Sequence, residues 1–205
     1  MNLQERLRKY LIMGSQNCQR DSVAILEEAI AGGITAFQFR EKGPNALEGE
    51  EKLELGLKLR QLCRKHHVLF IVNDDSVLVE PLEADGIHVG QDDMDVEDLR
   101  STFPNKIIGL SVSSEAEVRN SAIDVVDYLG AGPVFGTSTK VDAKAPVGVE
   151  WITSVKAMFP DMPLVGIGGI TAQNSRSVLV AGADGVSVIS AVTHADDVRS
   201  VVEQL

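Results

Sequence analysis

Cysteine is scarce in this 205-residue chain: Cys18 and Cys63 are its only two, and neither belongs to a C-x-x-C pair. That spacing provides no zinc site or redox motif, and two isolated thiols do not make a disulfide scaffold, so both are expected free. Positive charge is also short, with 19 Lys and Arg against 30 Asp and Glu and a net charge of −11. A nucleic-acid binder needs a basic face to replace counterions on the phosphates, so nucleic acid is not an expected partner. No apolar run approaches the ~20 residues that cross a bilayer. The opening MNLQERLRKYLIMG scatters charges ahead of a short apolar run instead of forming a signal-peptide core. The expectation is no membrane partner and a cytoplasmic location. Pro/Ser-rich linkers and low-complexity tracts are missing as well, which points to one domain over residues 1–205. A net charge says nothing about local charge, so a small cationic pocket stays compatible with this composition.

What is present is repetition. Short apolar, often β-branched runs recur at Tyr10–Met13, Ile34–Arg40, Leu69–Asn73, Gly86–Val89, Ile107–Val112, Tyr128–Gly132, Leu164–Gly168 and Val186–Ser190. Each is short enough for a buried strand and is bounded by Gly, Asp or Asn. Amphipathic stretches lie between them. Asp21–Ala31 ends at Gly32-Gly33, Glu48–His67 threads leucines through charges, and Glu115–Ala122 follows the candidate caps Ser113 and Ser114. Trp151, Val155 and Met158 mark a helix after Gly148, Thr171 opens Ala172–Ala181, and Asp196 opens a last helix. Strands alternating with helices imply a parallel sheet covered by helices. Eight units, and no G-x-G-x-x-G after the first strand, favour an α/β fold of the single-domain (β/α)8 TIM-barrel type over an open doubly wound sheet.

In such a barrel the functional groups gather at the C-terminal ends of the strands. After the second strand stands Gln38-Phe39-Arg40-Glu41-Lys42, where alternation points Gln38, Arg40 and Lys42 the same way. A planar fork and a mobile ammonium beside a glutamine suit an anion with several oxygens. Asn73-Asp74-Asp75 follows the third strand and Gly90-Gln91-Asp92-Asp93 the fourth, so carboxylates on adjacent strands could share Mg²⁺ with a phosphate, or could cap helices. Ser111-Val112-Ser113 follows the fifth. The loop GPVFGTSTK, Gly132–Lys140, follows the sixth and carries three hydroxyls before a lysine, as a lid over a polar ligand would. Gly166–Thr171 and Ser187–Ala191 end the last two strands. Glycine there lets backbone N–H groups approach a phosphate at a helix start. Two anion sites, one of them suited to a metal-bound pyrophosphate, would let an enzyme join a monophosphate to a fragment that leaves pyrophosphate behind.

Taken together, Gln38–Lys42, Asn73-Asp74, the GIHVGQDD of Gly86–Asp93, GPVFGTSTK and GIGGI resemble thiamine phosphate synthases, in order and over nearly the whole chain. The resemblance implies a (β/α)8 barrel that couples 4-amino-2-methyl-5-hydroxymethylpyrimidine pyrophosphate to a thiazole phosphate, yielding thiamine phosphate and pyrophosphate. It assigns Gln38, Phe39, Arg40, Glu41, Lys42, Asn73, Ser111 and Lys140 to the pyrimidine diphosphate. It assigns Mg²⁺, the implied cofactor, to Asp74 and Asp93. It assigns Thr137, Ser138, Thr139, Gly169, Ile189 and Ser190 to the thiazole phosphate. Arg40, Lys42 and Lys140 would carry catalysis by stabilising the leaving group. The implied partners are small molecules, and the oligomeric state stays open, a homo-oligomer included. One departure is Gly136, where the family usually has proline. Two rivals share much of the pattern: a thiazole tautomerase of the same fold, which would use an active-site histidine, and a non-catalytic sensor of a thiamine precursor.

Overall fold

The computed structural model describes residues 2–137, 139 and 144–205. Eight parallel strands close into a barrel in chain order. They are β1 (Lys9–Met13), β2 (Ala36–Phe39), β3 (Leu69–Asn73), β4 (Gly86–Val89), β5 (Ile107–Val112), β6 (Tyr128–Ala131), β7 (Leu164–Ile167) and β8 (Gly185–Val188). Closure is made by β8 against β1, with Lys9 opposite Val186. Among the described residues the helices are α1 (Leu3–Arg6), α2 (Ser22–Ala31), α3 (Gly49–Lys65), α4 (Val96–Thr102), α5 (Glu115–Asn120), α6 (Val149–Met158), α7 (Ser175–Val180), α8 (Ser190–Thr193) and α9 (Val198–Glu203).

Local chemistry sets many of these boundaries. Asp21 accepts from the Ala24 N–H at 2.8 Å, Asp95 from Glu97 at 2.8 Å and Asp197 from Ser200 at 2.9 Å, each satisfying an orphan donor at a helix start. Ser114 caps α5 in the same way. Three elements sharpen or correct the sequence reading. Helix α4, whose bounds the sequence reading left open, is capped by Asp95 and not by Asp92 or Asp93. The last helix is capped by Asp197 and not by Asp196. Helix α7 begins at Ser175, because Asn174 accepts from the Thr171 N–H at 2.8 Å and donates to the Gly169 carbonyl at 3.0 Å, holding the intervening residues as a turn. Strand β8 likewise ends at Val188, and Ser190 opens α8.

The core falls into two layers. The larger lies between strands and helices and includes Leu11, Phe37, Phe39, Phe70, Ile87 and Val178. Phe70 packs on Phe37 and Phe39 with ring centroids 5.7 and 6.3 Å apart. Burying each such side chain contributes about 1.5–3 kcal/mol. The smaller fills the barrel interior with Tyr10, Ile12, Leu69, Ile71, Tyr128 and Val165. Strand alternation makes this division: odd-numbered Phe37 and Phe39 face the helices, and even-numbered Gln38 faces inward. Both cysteines are free.

Candidate active site

The C-terminal mouth of the barrel opens into a cavity of about 470 Å³. Its walls bring together Arg40, Lys42, Asn73, Asp74, Asp93, Ser111, Thr137, Thr139, Gly169, Ile189 and Ser190, all singled out from the sequence. Ser138 and Lys140 lie outside the described residues. Three other expected residues do not line the cavity. Phe39 is buried in the outer core. Glu41 is 6% exposed and turned away from the mouth: it accepts from the Ser15 N–H at 2.7 Å, the Ser15 hydroxyl at 2.6 Å and the Leu47 N–H at 2.8 Å. Gln38 is 2% exposed and donates to the Tyr10 hydroxyl at 2.9 Å inside the barrel. Alternation explains Phe39 and Glu41, and depth explains Gln38, which sits one pleat below Arg40.

The Arg40–Lys42 segment is held from behind. Gln16, on the loop after β1, donates from one amide nitrogen to the carbonyls of Arg40 and Lys42, at 2.9 and 3.1 Å. This clamp was not read from the sequence, because nothing in GSQN shows which distant carbonyls it meets. Arg40 itself makes no ion pair among the described residues, so the mouth holds a guanidinium available to an anion. Lys42 Nζ lies 2.5 Å from Asp74 and 3.6 Å from Asp93. The Asp74 carboxylate beside it holds the Lys42 ammonium above its ordinary value, against burial and Arg40.

Burial pushes the Asp74 carboxyl above the usual carboxylate range, aided by Asp93 and opposed by Lys42. In Asp93 burial acts in the same sense, but the Gly90 N–H at 2.8 Å, Asp74 and Lys42 outweigh it and hold this carboxyl below its usual range. Asp75 is drawn off to Lys52, 2.7 Å away, whereas Asp92 lines the cavity. No third Asp, Glu, His or Cys among the described residues joins Asp74 and Asp93 into a larger ligand cluster. Two hard carboxylates that already share a cationic group fit Mg²⁺, which keeps water and substrate phosphate oxygens in its remaining positions.

The opposite wall is built from backbone. Gly168 and Gly169 have φ of 98° and 63°, a region that side chains rarely adopt. A Cβ on Gly169 would come within 2.5 Å of the Gly136 carbonyl, so the two loops meet closely there. The Gly169 N–H has no hydrogen-bond partner among the described residues. Thr139 donates to the Ser190 hydroxyl at 3.2 Å, linking the loop after β6 to the start of α8. Beside them, unforeseen in the sequence, Glu117 accepts from the Ser113 N–H and hydroxyl at 2.7 Å and from Lys144 at 2.6 Å.

A closed parallel barrel with a cationic, carboxylate-bearing rim facing a glycine-walled rim defines a phosphate-handling enzyme of the (β/α)8 class. The chain belongs to the thiamine monophosphate synthase family, whose model matches residues 9–192. It is 55% identical over 199 residues to the thiamine-phosphate synthase of Oceanobacillus iheyensis, covering 97% of each chain. It is 47% identical over 202 residues to thiamine-phosphate synthase 1 of Streptococcus pneumoniae, covering 98% of this chain and 97% of that one. Among solved structures, the thiamine phosphate pyrophosphorylase of Pyrococcus furiosus superposes with a TM-score of 0.88 at 38% identity, covering 100% of this chain and 96% of that one. A phosphoribosyl anthranilate isomerase from Thermotoga maritima shares the fold alone, with a TM-score of 0.68 at 13% identity.

Proposed function

We propose that this mouth joins a pyrimidinylmethyl diphosphate to a thiazole phosphate, the reaction of a thiamine phosphate synthase. The protein is a transferase of thiamine biosynthesis, and pyrophosphate is the group displaced. The observation that carries the reading is one cavity with Arg40, Lys42, Asp74 and Asp93 on one side and Gly169, Ile189 and Ser190 on the other.

Arg40 and Lys42, with Lys140 from the loop after β6, hold the diphosphate and balance its charge as the C–O bond breaks. That bond breaks with its electron pair on oxygen and leaves a pyrimidinylmethyl cation stabilised by the ring amino group. The thiazole nitrogen then supplies the pair for the new C–N bond. No side chain acts as nucleophile, so the protein contributes position and preorganised charge. Asn73 and Ser111 face the same ligand. Asp74 and Asp93 would hold Mg²⁺, which supplies charge neutralisation at the leaving pyrophosphate. Thr137, Ser138 and Thr139 with the backbone of Gly169, Ile189 and Ser190 fix the thiazole phosphate, so the nitrogen meets the cation before water does. The same reading takes residues 1–205 as one domain, working in the cytoplasm. No helix among the described residues is long and apolar enough to cross a membrane.

Mixing both substrates with Mg²⁺ should release pyrophosphate and thiamine phosphate in equal amounts. Binding without release, or isomerisation of the thiazole phosphate alone, would remove this reading. For the metal, Asp93→Asn should raise the Mg²⁺ concentration for half-maximal rate by about 10–100-fold. An unchanged Mg²⁺ curve would release Asp93 from that role.

A further inference from the structure

Under the floor of the cavity a chain of polar groups crosses the barrel. Gln38 Nε2 lies 2.9 Å from Tyr10 Oη, and Tyr10 Oη lies 2.9 Å from Tyr128 Oη. Tyr128 Oη is 2.8 Å from His88 Nδ1, and His88 Nε2 is 2.9 Å from Ser111 Oγ. Gln38, Tyr10, Tyr128 and His88 are all at most 8% exposed, and of the chain His88 and Ser111 reach the cavity wall. The barrel makes room for this chain: a Cβ on Gly109 would stand 2.2 Å from the Tyr128 ring and 2.4 Å from His88 Nδ1.

The hydrogens in this chain run one way. An amide nitrogen has no lone pair to accept with, so Gln38 donates to Tyr10. Tyr10 has one hydrogen, and its remaining neighbour is Tyr128, so it donates there. Tyr128 then donates to His88 Nδ1. That nitrogen is the acceptor, the ring hydrogen sits on Nε2, and Nε2 donates to Ser111 Oγ. The opposite direction would bring the Tyr10 hydrogen against the Gln38 NH₂ group. A mixed arrangement would leave a buried phenol hydrogen without an acceptor, which native interiors avoid. Burial also pushes both phenols above their ordinary pKa, so they stay hydrogen-bearing.

We propose that Gln38 and Tyr10 are positioning residues that hold His88 as the Nε2–H tautomer, so that Ser111 presents its hydroxyl hydrogen to the cavity as a donor. The chain stands on geometry. That the hydroxyl meets an acceptor on the pyrimidine diphosphate rests on the proposed reaction.

The test is a long-range ¹H–¹⁵N spectrum of the folded protein with labelled histidine, His88 being assigned by its loss in His88→Asn. Wild type should show His88 as the Nε2–H tautomer, and an Nδ1–H tautomer would overturn the proposal without any variant. Gln38→Glu replaces the terminal donor with an acceptor and should turn His88 to Nδ1–H. An unmoved Nε2–H form in that folded variant would overturn the role of Gln38. Should the buried carboxylate prevent folding, Tyr10→Phe tests the same rule with little change of shape. It leaves His88 Nδ1 as the acceptor that the Tyr128 hydrogen meets, so His88 should stay Nε2–H. An Nδ1–H form in Tyr10→Phe would equally overturn the proposal. An Nε2–H His88 in a protein that releases no pyrophosphate would sink the proposed reaction and leave the chain standing.

Discussion

Around the mouth, the segments after β2, β3 and β4 and the segments after β7 and β8 meet one cavity with different material. The first group presents side chains: Arg40, Lys42, Asp74 and Asp93. It anchors them by further side chains behind, through the Gln16 amide, the Glu41 clip and the Lys52–Asp75 pair. The second group presents backbone, with Gly168 and Gly169 at positive φ. On the proposed reaction, the difference follows from the ligands. A leaving diphosphate changes its charge distribution as the bond breaks, and movable or charged side chains answer that change. A phosphate that takes no part in bond making needs fixed N–H groups, and bare backbone supplies them with the least ordering of side chains. Substitutions on the two sides should therefore separate into effects on turnover and effects on binding.

The largest effect is expected on the side-chain half. Arg40→Ala should lower kcat by about 10²–10³, the loss typical of one preorganised donor to a developing anion. Pyrophosphate release in single turnover measures it, and a change confined to the KM for thiazole phosphate would break the contrast between the halves. Next comes the clip behind it. Glu41→Ala leaves the Ser15 and Leu47 N–H groups without their acceptor and should cost about 1–3 kcal/mol of stability, read as a lower urea midpoint at unchanged slope. An unchanged midpoint would show that Glu41 does not anchor this rim.

On the backbone half, Gly169→Ala places a side chain at φ 63° and 2.5 Å from the Gly136 carbonyl. The side chain must push apart the backbone that faces the phosphate, so the KM for thiazole phosphate should rise, roughly tenfold for a loss of about 1.4 kcal/mol in binding. The KM for the pyrimidine diphosphate should hold; if both rise together, the division is wrong. The smallest effect is expected at Gly136, where a Cβ meets nothing within 4 Å and φ is not in the left-handed region. Gly136→Pro should stabilise the folded chain by about 0.4–1 kcal/mol by restricting the unfolded one, measured by thermal unfolding. Destabilisation would mean that this chain needs glycine at position 136.

Much of this was legible in the residues. The eight apolar runs, their order and the polar groups at their ends were visible because burial on both faces demands continuous β-branched runs, and glycine or acidic residues stop them. Alternation placed Arg40 and Lys42 on one side. The depth of Gln38 was not legible, because it depends on how far Tyr10 of the neighbouring strand reaches across the barrel. The choice between Asp75 and Asp92 was equally hidden: Lys52 takes Asp75 from 23 residues away. The start of helix α4 was obscured by the acidic run that also supplies Asp93.

By itself, the amino-acid sequence determined the barrel, the chemistry of each strand end and the contrast between a charged rim and a glycine rim. Those follow from periodicity and residue type, which are local properties. Tertiary structure alone decided which of several similar groups face the cavity, what holds Arg40 and Lys42 from behind, and the line of hydrogen bonds from Gln38 to Ser111. Each of these depends on groups brought within about 3 Å by closing the barrel, and such distances are set by packing between strands far apart in the chain.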